Sequence, residues 1–192
     1  MTKTLDLGCG ARPRNPFNAD ELFGVDVRDD LEANVKRADL TIEPIPYEDA
    51  SFEYLTAYDF IEHIPRIVYA PERRNAFIEF MNEVYRVLKP GGLFMSQTPA
   101  YPHPAAFRDP THVNFITDET FLYYFDDIHR WASIYGFQGA FRIVAHRRRG
   151  ANLHAILQKV PVPDLDALSF NEKRKMRWLR RWRLFWQRDG LG

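Results

Sequence analysis

The chain has 192 residues, 45% of them apolar and 27% charged, with a formal net charge of zero. This composition fits a globular protein with one sizeable core and offers no whole-chain attraction for a polyanion. A single cysteine, Cys9, excludes an internal disulfide and any cysteine-based zinc site, and no apolar run is long enough to span a bilayer. No signal-peptide pattern opens the chain. The cytoplasm is the compartment these features suggest.

Thr4 to Leu7 reads as a short buried strand that runs straight into Gly8-Cys9-Gly10. Leu22 to Val27 reads as a second strand ending near Asp26, and Glu53 to Tyr58 as a third main strand. Phe77, Phe80, Met81, Val84, Val87 and Leu88 recur at helical spacing, predicting a helix over 71–89 with Pro71 in its first turn. Pro90-Gly91-Gly92 stops that helix, and Leu93 to Gln97 follows as a strand. This alternation is the signature of an α/β domain with a mostly parallel sheet.

Residues 99–116 hold prolines, two histidines and several aromatics, a pattern too irregular for a strand and too apolar for a linker. An ordered loop is expected, and such loops often carry function. Short helices are expected over 117–124 and 126–135, the second closed by Gly136. Phe137 to His146 and Ala151 to Val160 then read as an antiparallel hairpin turning at Gly150. Pro161-Val162-Pro163 ends the domain, giving a folded unit over 1–160 and a tail over 161–192.

A strand that ends in Gly-x-Gly presents backbone N–H groups at the C-terminal edge of a parallel sheet, where α/β folds bind ligands. An acid at the end of the next strand, here Asp26, can accept hydrogen bonds from both hydroxyls of a ribose. Together they predict a nucleoside-containing cofactor. A dinucleotide cradle would want a third glycine, and the turn continues instead as Ala11-Arg12-Pro13. S-adenosylmethionine carries a ribose and no phosphate, and it is the alternative.

The segments "LDLGCG", "GVDV", "DFIEHIP" and "VLKPGGLFMSQTP", in this order, resemble the successive motifs of class I S-adenosylmethionine-dependent methyltransferases. The resemblance covers residues 4 to 100, with weaker agreement to about 160. It implies a Rossmann-like, mostly parallel seven-stranded sheet with the last strand antiparallel, flanked by helices. It implies S-adenosyl-L-methionine as cofactor. Asp6, Gly8, Cys9 and Gly10 would line its methionine side, Asp26 would hold the ribose hydroxyls, and Val27 would pack on the adenine. Asp39 and Leu40 would approach the adenine, and Tyr58 and Asp59 would flank the methyl-transfer face. The alternative reading of Asp6, Asp26 and Asp39 is that of ordinary turn or strand-end acids. The "LKPGG" stretch is read as a structural helix stop.

The family commonly carries helices ahead of the first motif strand, and here only Met1-Thr2-Lys3 stand there. Either the acceptor site is open or the 99–116 loop builds it. That loop offers Tyr101, His103, Arg108, Asp109, His112 and Asn114. Its histidines and acid can supply a general base, take a divalent metal, or satisfy one another in a stiffened lid. An acceptor-binding lid is the reading adopted, with His112 as base, Asp109 as its orienter, and no metal. His63 is either a second base facing the acceptor or a cap on the short turn before Pro65.

The turn after the fourth strand, Asp59-Phe60-Ile61-Glu62, lacks the Asn/Asp-Pro-Pro-aromatic pattern that goes with methylation of exocyclic base nitrogens. Cys9 sits in the glycine turn, so a cysteine nucleophile for cytosine carbon is also absent. The expected activity is methyl transfer to an oxygen or nitrogen of a small molecule, a glycan or a lipid-linked acceptor. The alternatives are a nucleic-acid methyltransferase and a non-catalytic module acting through its tail. The sequence leaves the oligomeric state open.

From Lys173 to Arg188 there are eight basic residues and no acid. Trp178, Leu179, Trp182, Phe185 and Trp186 fall on one face of a helix. Such a segment can lie on an anionic membrane surface, hold nucleic acid, or dock on the domain or another subunit. Contact with the inner face of a membrane would make the protein peripheral to it.

Overall fold

The structure is a computed structural model that describes residues 1–28, 34–162 and Trp178. The first strand, β1 (Lys3–Leu7), is buried from Thr4 onward and sits at the centre of a seven-stranded sheet. It pairs in parallel with β2 (Glu21–Asp26) on one side and β4 (Phe52–Tyr58) on the other. A three-residue strand, β3 (Val35–Arg37), joins the β2 edge. Only Val35 of β3 is buried, so its apolar signal is too short to read from sequence.

On the other side β4 pairs in parallel with β5 (Leu88–Pro99). The hairpin strands β6 (Phe141–Arg149) and β7 (Asn152–Lys159) complete the sheet, with β7 inserted antiparallel between β5 and β6. The order β3-β2-β1-β4-β5-β7-β6 is the Rossmann-like arrangement the sequence predicts, with the last strand reversed. The chain crosses back from β3 to lay β4 beside β1, which places the C-terminal ends of β2, β1 and β4 side by side. Parallel sheets open their ligand crevice at this switch.

The helix α1 (Ala76–Val87) buries Phe77, Phe80, Met81, Val84 and Val87 against the sheet. It starts five residues later than its periodicity suggests. Val68 and Arg74 exchange backbone hydrogen bonds of 2.8 and 3.0 Å, which closes residues 68–74 into a bridge ahead of the helix. It also ends earlier, because Leu88 is already extended and pairs with Phe52. Gly92 is needed there for close approach, since a Cβ would stand 2.9 Å from the carbonyl oxygen of Glu53 on β4.

The helix expected over 126–135 is not formed as such. Asp126 turns its carboxylate back onto the backbone N–H groups of His129 (2.9 Å) and Arg130 (3.1 Å) and onto His129 Nδ1 (2.9 Å). Only a 3-10 turn, Trp131–Tyr135, follows, closed by Gly136 in the left-handed region at φ +100°. The expected 117–124 helix appears as a π-helical turn over Thr120–Phe125. Phe77, Phe125, Phe137 and Phe141 pack these turns onto α1 and β6.

The tail beyond Val162 lies outside the described residues apart from Trp178, so the amphipathic reading of 173–188 is not addressed by the fold. Among the described residues no helix is long and apolar enough to cross a membrane.

Candidate functional site: a glycine turn and a lidded cavity

The glycine turn follows directly from β1. Gly8 and Gly10 adopt φ of +63° and +65°, a region that residues with a Cβ avoid. The turn is tied to β2 by Gly8 N–H and Cys9 N–H, which donate to the carbonyl of Val25 at 2.9 and 3.2 Å. It is tied again by Gly10 N–H, which donates to Asp26 Oδ2 at 2.8 Å. The second oxygen of Asp26 accepts from Arg28 Nε at 2.9 Å. Partial burial acts against the Asp26 carboxylate, but the Gly10 and Arg28 donors prevail and hold its pKa below the ordinary value.

Asp6 is almost fully buried beneath the same turn. Its carboxylate accepts from the Thr56 hydroxyl (2.6 Å) and from Arg14 N–H (2.8 Å). Burial raises its pKa against these two donors. Cys9 points inward, with Sγ placed where a Cβ on Gly24 would stand at 2.6 Å, and burial pushes its thiol up to about 11. A thiol so placed packs the turn and is no nucleophile at neutral pH. Phe60 lies over Gly8, where a Cβ would meet the ring at 2.1 Å, and the Arg14 guanidinium stacks on Tyr58 at 4.4 Å. Val27 is 55% exposed beside Asp26, an apolar surface at the mouth of the crevice.

Asp39 and Leu40 stand differently. Asp39 Oδ1 accepts from Thr41 N–H at 3.0 Å in a local turn, and Asp39 N–H donates to Glu43. Leu40 is a core residue and lines a separate cavity of about 270 Å³ against α1. Asp39 Oδ1 is thus engaged in a local turn, and Leu40 is buried in the core.

The 99–116 loop is ordered and anchored at both ends. Tyr101 N–H donates to Ile116 O at 2.9 Å, and Ala100 and Ile116 form a bridge at its base. Val113 and Asn114 N–H both donate to Glu62 O at 2.9 Å, and Asn114 Nδ2 donates to Ile61 O. A short helix, α2 (Ala105–Arg108), crosses the loop, its Ala105 N–H donating to His103 Nδ1 at 3.1 Å.

Beneath the loop lies a cavity of about 700 Å³. Asp59, Glu62, Arg108, Asp109, His112 and Asn152 contribute to its wall. Asp59 caps β4 in a left-handed conformation, φ +48°, one residue beyond Tyr58. The cavity therefore opens at the same sheet edge as the glycine turn.

Glu62 was not among the residues sequence reasoning selected, yet it is the most buried acid at this edge, at 1% exposure. Its Oε2 accepts from the Thr98 hydroxyl at 2.8 Å, and its Oε1 has no partner. Burial, opposed by its hydrogen bonds and increased by Asp59, pushes its carboxyl up to about 7. His63 and His112 meet edge to face with ring centroids 4.8 Å apart. The sequence reading paired Asp109 with His112, and the two are joined through the backbone, His112 N–H donating to the Asp109 carbonyl at 3.1 Å, while the Asp109 carboxylate bonds to Thr111. Its Oδ1 accepts from the Thr111 hydroxyl at 2.6 Å, and that hydroxyl stands 3.1 Å from His63 Nδ1. The acid thus positions His63 through Thr111.

Residues 5–96 match the family described as a methyltransferase domain. The fold resembles a SAM-dependent methyltransferase from Archaeoglobus fulgidus at 17% identity, over 82% of this chain and 86% of the other, with a TM-score of 0.54. One from Aquifex aeolicus aligns at 14% identity, 83% and 82% coverage and a TM-score of 0.52. A chain from the Haloferax volcanii complex of the Trm112 methyltransferase activator with a candidate methyltransferase aligns at 13%, 83% of each chain and 0.55. Among curated proteins none matches the sequence. At these identities the structural likenesses speak for the fold, and the domain match speaks for the activity. The chain thus carries a methyltransferase domain over residues 5–96, on a fold shared with SAM-dependent methyltransferases, and that match implies S-adenosyl-L-methionine as the cofactor.

Proposed function

We propose that the protein transfers a methyl group to an oxygen or nitrogen of a small-molecule, glycan or lipid-linked acceptor held in the lidded cavity. The observation that carries this reading is the 700 Å³ cavity walled by Asp59, Glu62, Asp109 and His112 at the sheet edge that carries the glycine turn. A cavity of that size suits a small molecule or one terminal group of a larger one.

The residues of the turn fit the cofactor. Gly8 and Gly10 hold the turn in the left-handed region against Phe60 and Arg28, and Asp26 is an ionised acid beside exposed Val27. Asp6, Gly8, Cys9 and Gly10 would shape the methionine end, Asp6 and Cys9 by bracing the turn from within. Asp26 would take the ribose and Val27 the adenine, with Tyr58 and Asp59 flanking the reacting end. Asp39 and Leu40 would support the adenine side only through the backbone they fix. When bound, the cofactor supplies a sulfonium methyl activated by its own positive charge.

The chain's task is then to orient the acceptor and remove its proton. The cluster of Glu62, His63 and His112 handles that proton, with Asp109 as the positioning residue for His63. Val113 and Asn114 N–H, both bonded to the Glu62 carbonyl, fix the loop at the cavity wall.

Calorimetric titration with S-adenosylhomocysteine tests the cofactor half of this reading. The wild type should bind in the micromolar range, and Asp26→Ala should weaken binding by about 1.5–3 kcal/mol, the range for hydrogen bonds to a charged group. Absence of binding by the wild type would sink the assignment of the glycine turn.

A further inference from the structure

One group beneath the lid is poorly explained by proton transfer alone. Glu62 is a buried acid with one oxygen satisfied by Thr98 and the other, Oε1, bonded to nothing. Buried polar atoms are nearly always paired, and an orphaned carboxylate oxygen is costly. A second orphan lies beside it: His112 Nδ1 is also buried without a partner. One ligand atom from each of Glu62, His63 and His112 falls within 4.8 Å of the others.

The third member is prepared as well. The Thr111 hydroxyl lies 2.6 Å from Asp109 Oδ1, and its only proton is donated to that carboxylate. Toward His63 Nδ1, at 3.1 Å, the hydroxyl oxygen must therefore accept. That places the His63 proton on Nδ1 and leaves Nε2 as a bare lone pair. A carboxylate acting on the far nitrogen, directly or through one intermediate, is how metal-binding histidines are commonly fixed in tautomer and orientation.

We propose that Glu62, His63 and His112 form a binding site for a divalent transition-metal cation in the wall of the acceptor cavity. One carboxylate and two imidazoles make a borderline donor set suited to the Mn²⁺-to-Zn²⁺ series and not to Ca²⁺ or Mg²⁺, which favour oxygen donors. Three protein ligands leave at least one coordination position open. Glu62 and His112 both line the cavity, so that position faces the space where the acceptor sits. A hydroxyl bound there would ionise more readily, as bound water does on zinc. This last consequence rests on the methyl-transfer reading; the cation site itself does not.

The test uses the full chain, stripped with chelator and titrated with Co²⁺ while visible absorption is followed, then with Zn²⁺ by calorimetry. One cation per chain is expected, with Co²⁺ bands in the intensity range of four- or five-coordinate sites. Glu62→Gln, which keeps the Thr98 partner, and His63→Gln, which is partly exposed, should each weaken binding at least tenfold. Asp109→Asn should weaken it less, since it acts through Thr111. S-adenosylhomocysteine titration of the same variants reports separately on the fold and on the cofactor crevice. Unchanged affinity there beside lost Co²⁺ binding supports the site, and Co²⁺ binding without cofactor binding would fault the methyltransferase assignment alone. No one-to-one binding by the wild type, or affinity unaltered in both glutamine variants, overturns the proposal.

Discussion

Gly10 N–H donates to Asp26 Oδ2 at 2.8 Å, so the glycine turn and the acid at the end of β2 form one unit. The turn cannot relax without releasing the acid. Gly10→Ala places a Cβ at φ +65°, which costs about 1–2 kcal/mol in backbone strain. Its nearest contact would be the Arg28 guanidinium at 2.9 Å, the mobile end of a long side chain. Gly8→Ala is more severe, because its Cβ would meet the Phe60 ring at 2.1 Å and Phe60 is itself packed on Phe80. Urea unfolding should therefore rank Gly8→Ala well below Gly10→Ala, and both should bind S-adenosylhomocysteine more weakly than the wild type. Equal stabilities would show that Phe60 yields freely.

Arg28 makes a second test of the same unit. Its Nε occupies Asp26 Oδ1 at 2.9 Å, an oxygen that a ribose hydroxyl would need. The Arg28 side chain is 45% exposed, so the ion pair contributes little to stability. Arg28→Ala should leave the urea midpoint nearly unchanged and tighten S-adenosylhomocysteine binding a few-fold. Weaker binding would mean that Arg28 contacts the ligand and does not compete with it.

The sheet and the glycine turn were legible because each signal is local. β1 is a buried strand meeting Gly-x-Gly, and β2 ends on an acid. The terminal hairpin shows its turn at Gly150, which takes φ +58°. What sequence missed lies in one local backbone reversal and in contacts between distant segments. Asp126 caps the N–H groups of His129 and Arg130 as a helix start would, but Arg130 turns into the left-handed region at φ +50° and the helix does not continue. Asp109 precedes His112 by three residues, yet its carboxylate's bonds run through Thr111 to His63, 46 positions earlier in the chain. Glu62 stood in the family-like segment "DFIEHIP" with no role assigned to it. Its flanking Phe60, Ile61 and Ile64 were the available signal, since an acid set among apolar residues is carried inward with them.

The C-terminal hairpin predicts a pH effect. Burial lowers the pKa of His146, Asp118 opposes this, and Arg148 adds to it; the ring's Nε2 has no partner. An unfolded histidine titrates near 6.5. The folded chain therefore binds this proton less readily than the unfolded chain. The associated stability is full above about 6.5 and is lost as pH falls below that value. Melting temperature should drop between pH 7 and pH 5.5, and His146→Leu should flatten part of that drop. Parallel curves for the two proteins would remove His146 as a contributor.

The basic segment 173–188 makes a prediction from sequence alone. Eight cationic residues interleaved with tryptophan should draw the full chain to vesicles containing anionic lipid. Sedimentation with such vesicles should weaken as salt rises from low to physiological strength, because screening shortens the attraction. Neutral vesicles should leave the protein in the supernatant. Binding to neither anionic vesicles nor RNA would return this segment to docking on the domain or on another subunit.

Arg148 joins the hairpin to the lid. From β6 its guanidinium donates to the carbonyls of Ala100 (3.1 Å) and Tyr101 (2.7 Å) and to Asp118 Oδ1 (2.9 Å). The two carbonyls belong to the base of the 99–116 loop, so one side chain holds the point from which the lid departs. Arg148→Met keeps much of the aliphatic stem and removes all three bonds. The loss should be about 1–2 kcal/mol of stability, since the group is partly exposed and water can replace some of the donors. Its larger effect should be local. Tyr101 N–H and Ala100 N–H, bonded to Ile116 and Ala151, should exchange with solvent faster, while amides in β1 and β4 keep their protection. If exchange rises equally across the sheet, Arg148 supports the whole domain. If it rises only from residue 100 to 116, the lid opens as a unit, and acceptor KM should then increase while S-adenosylhomocysteine affinity stays constant.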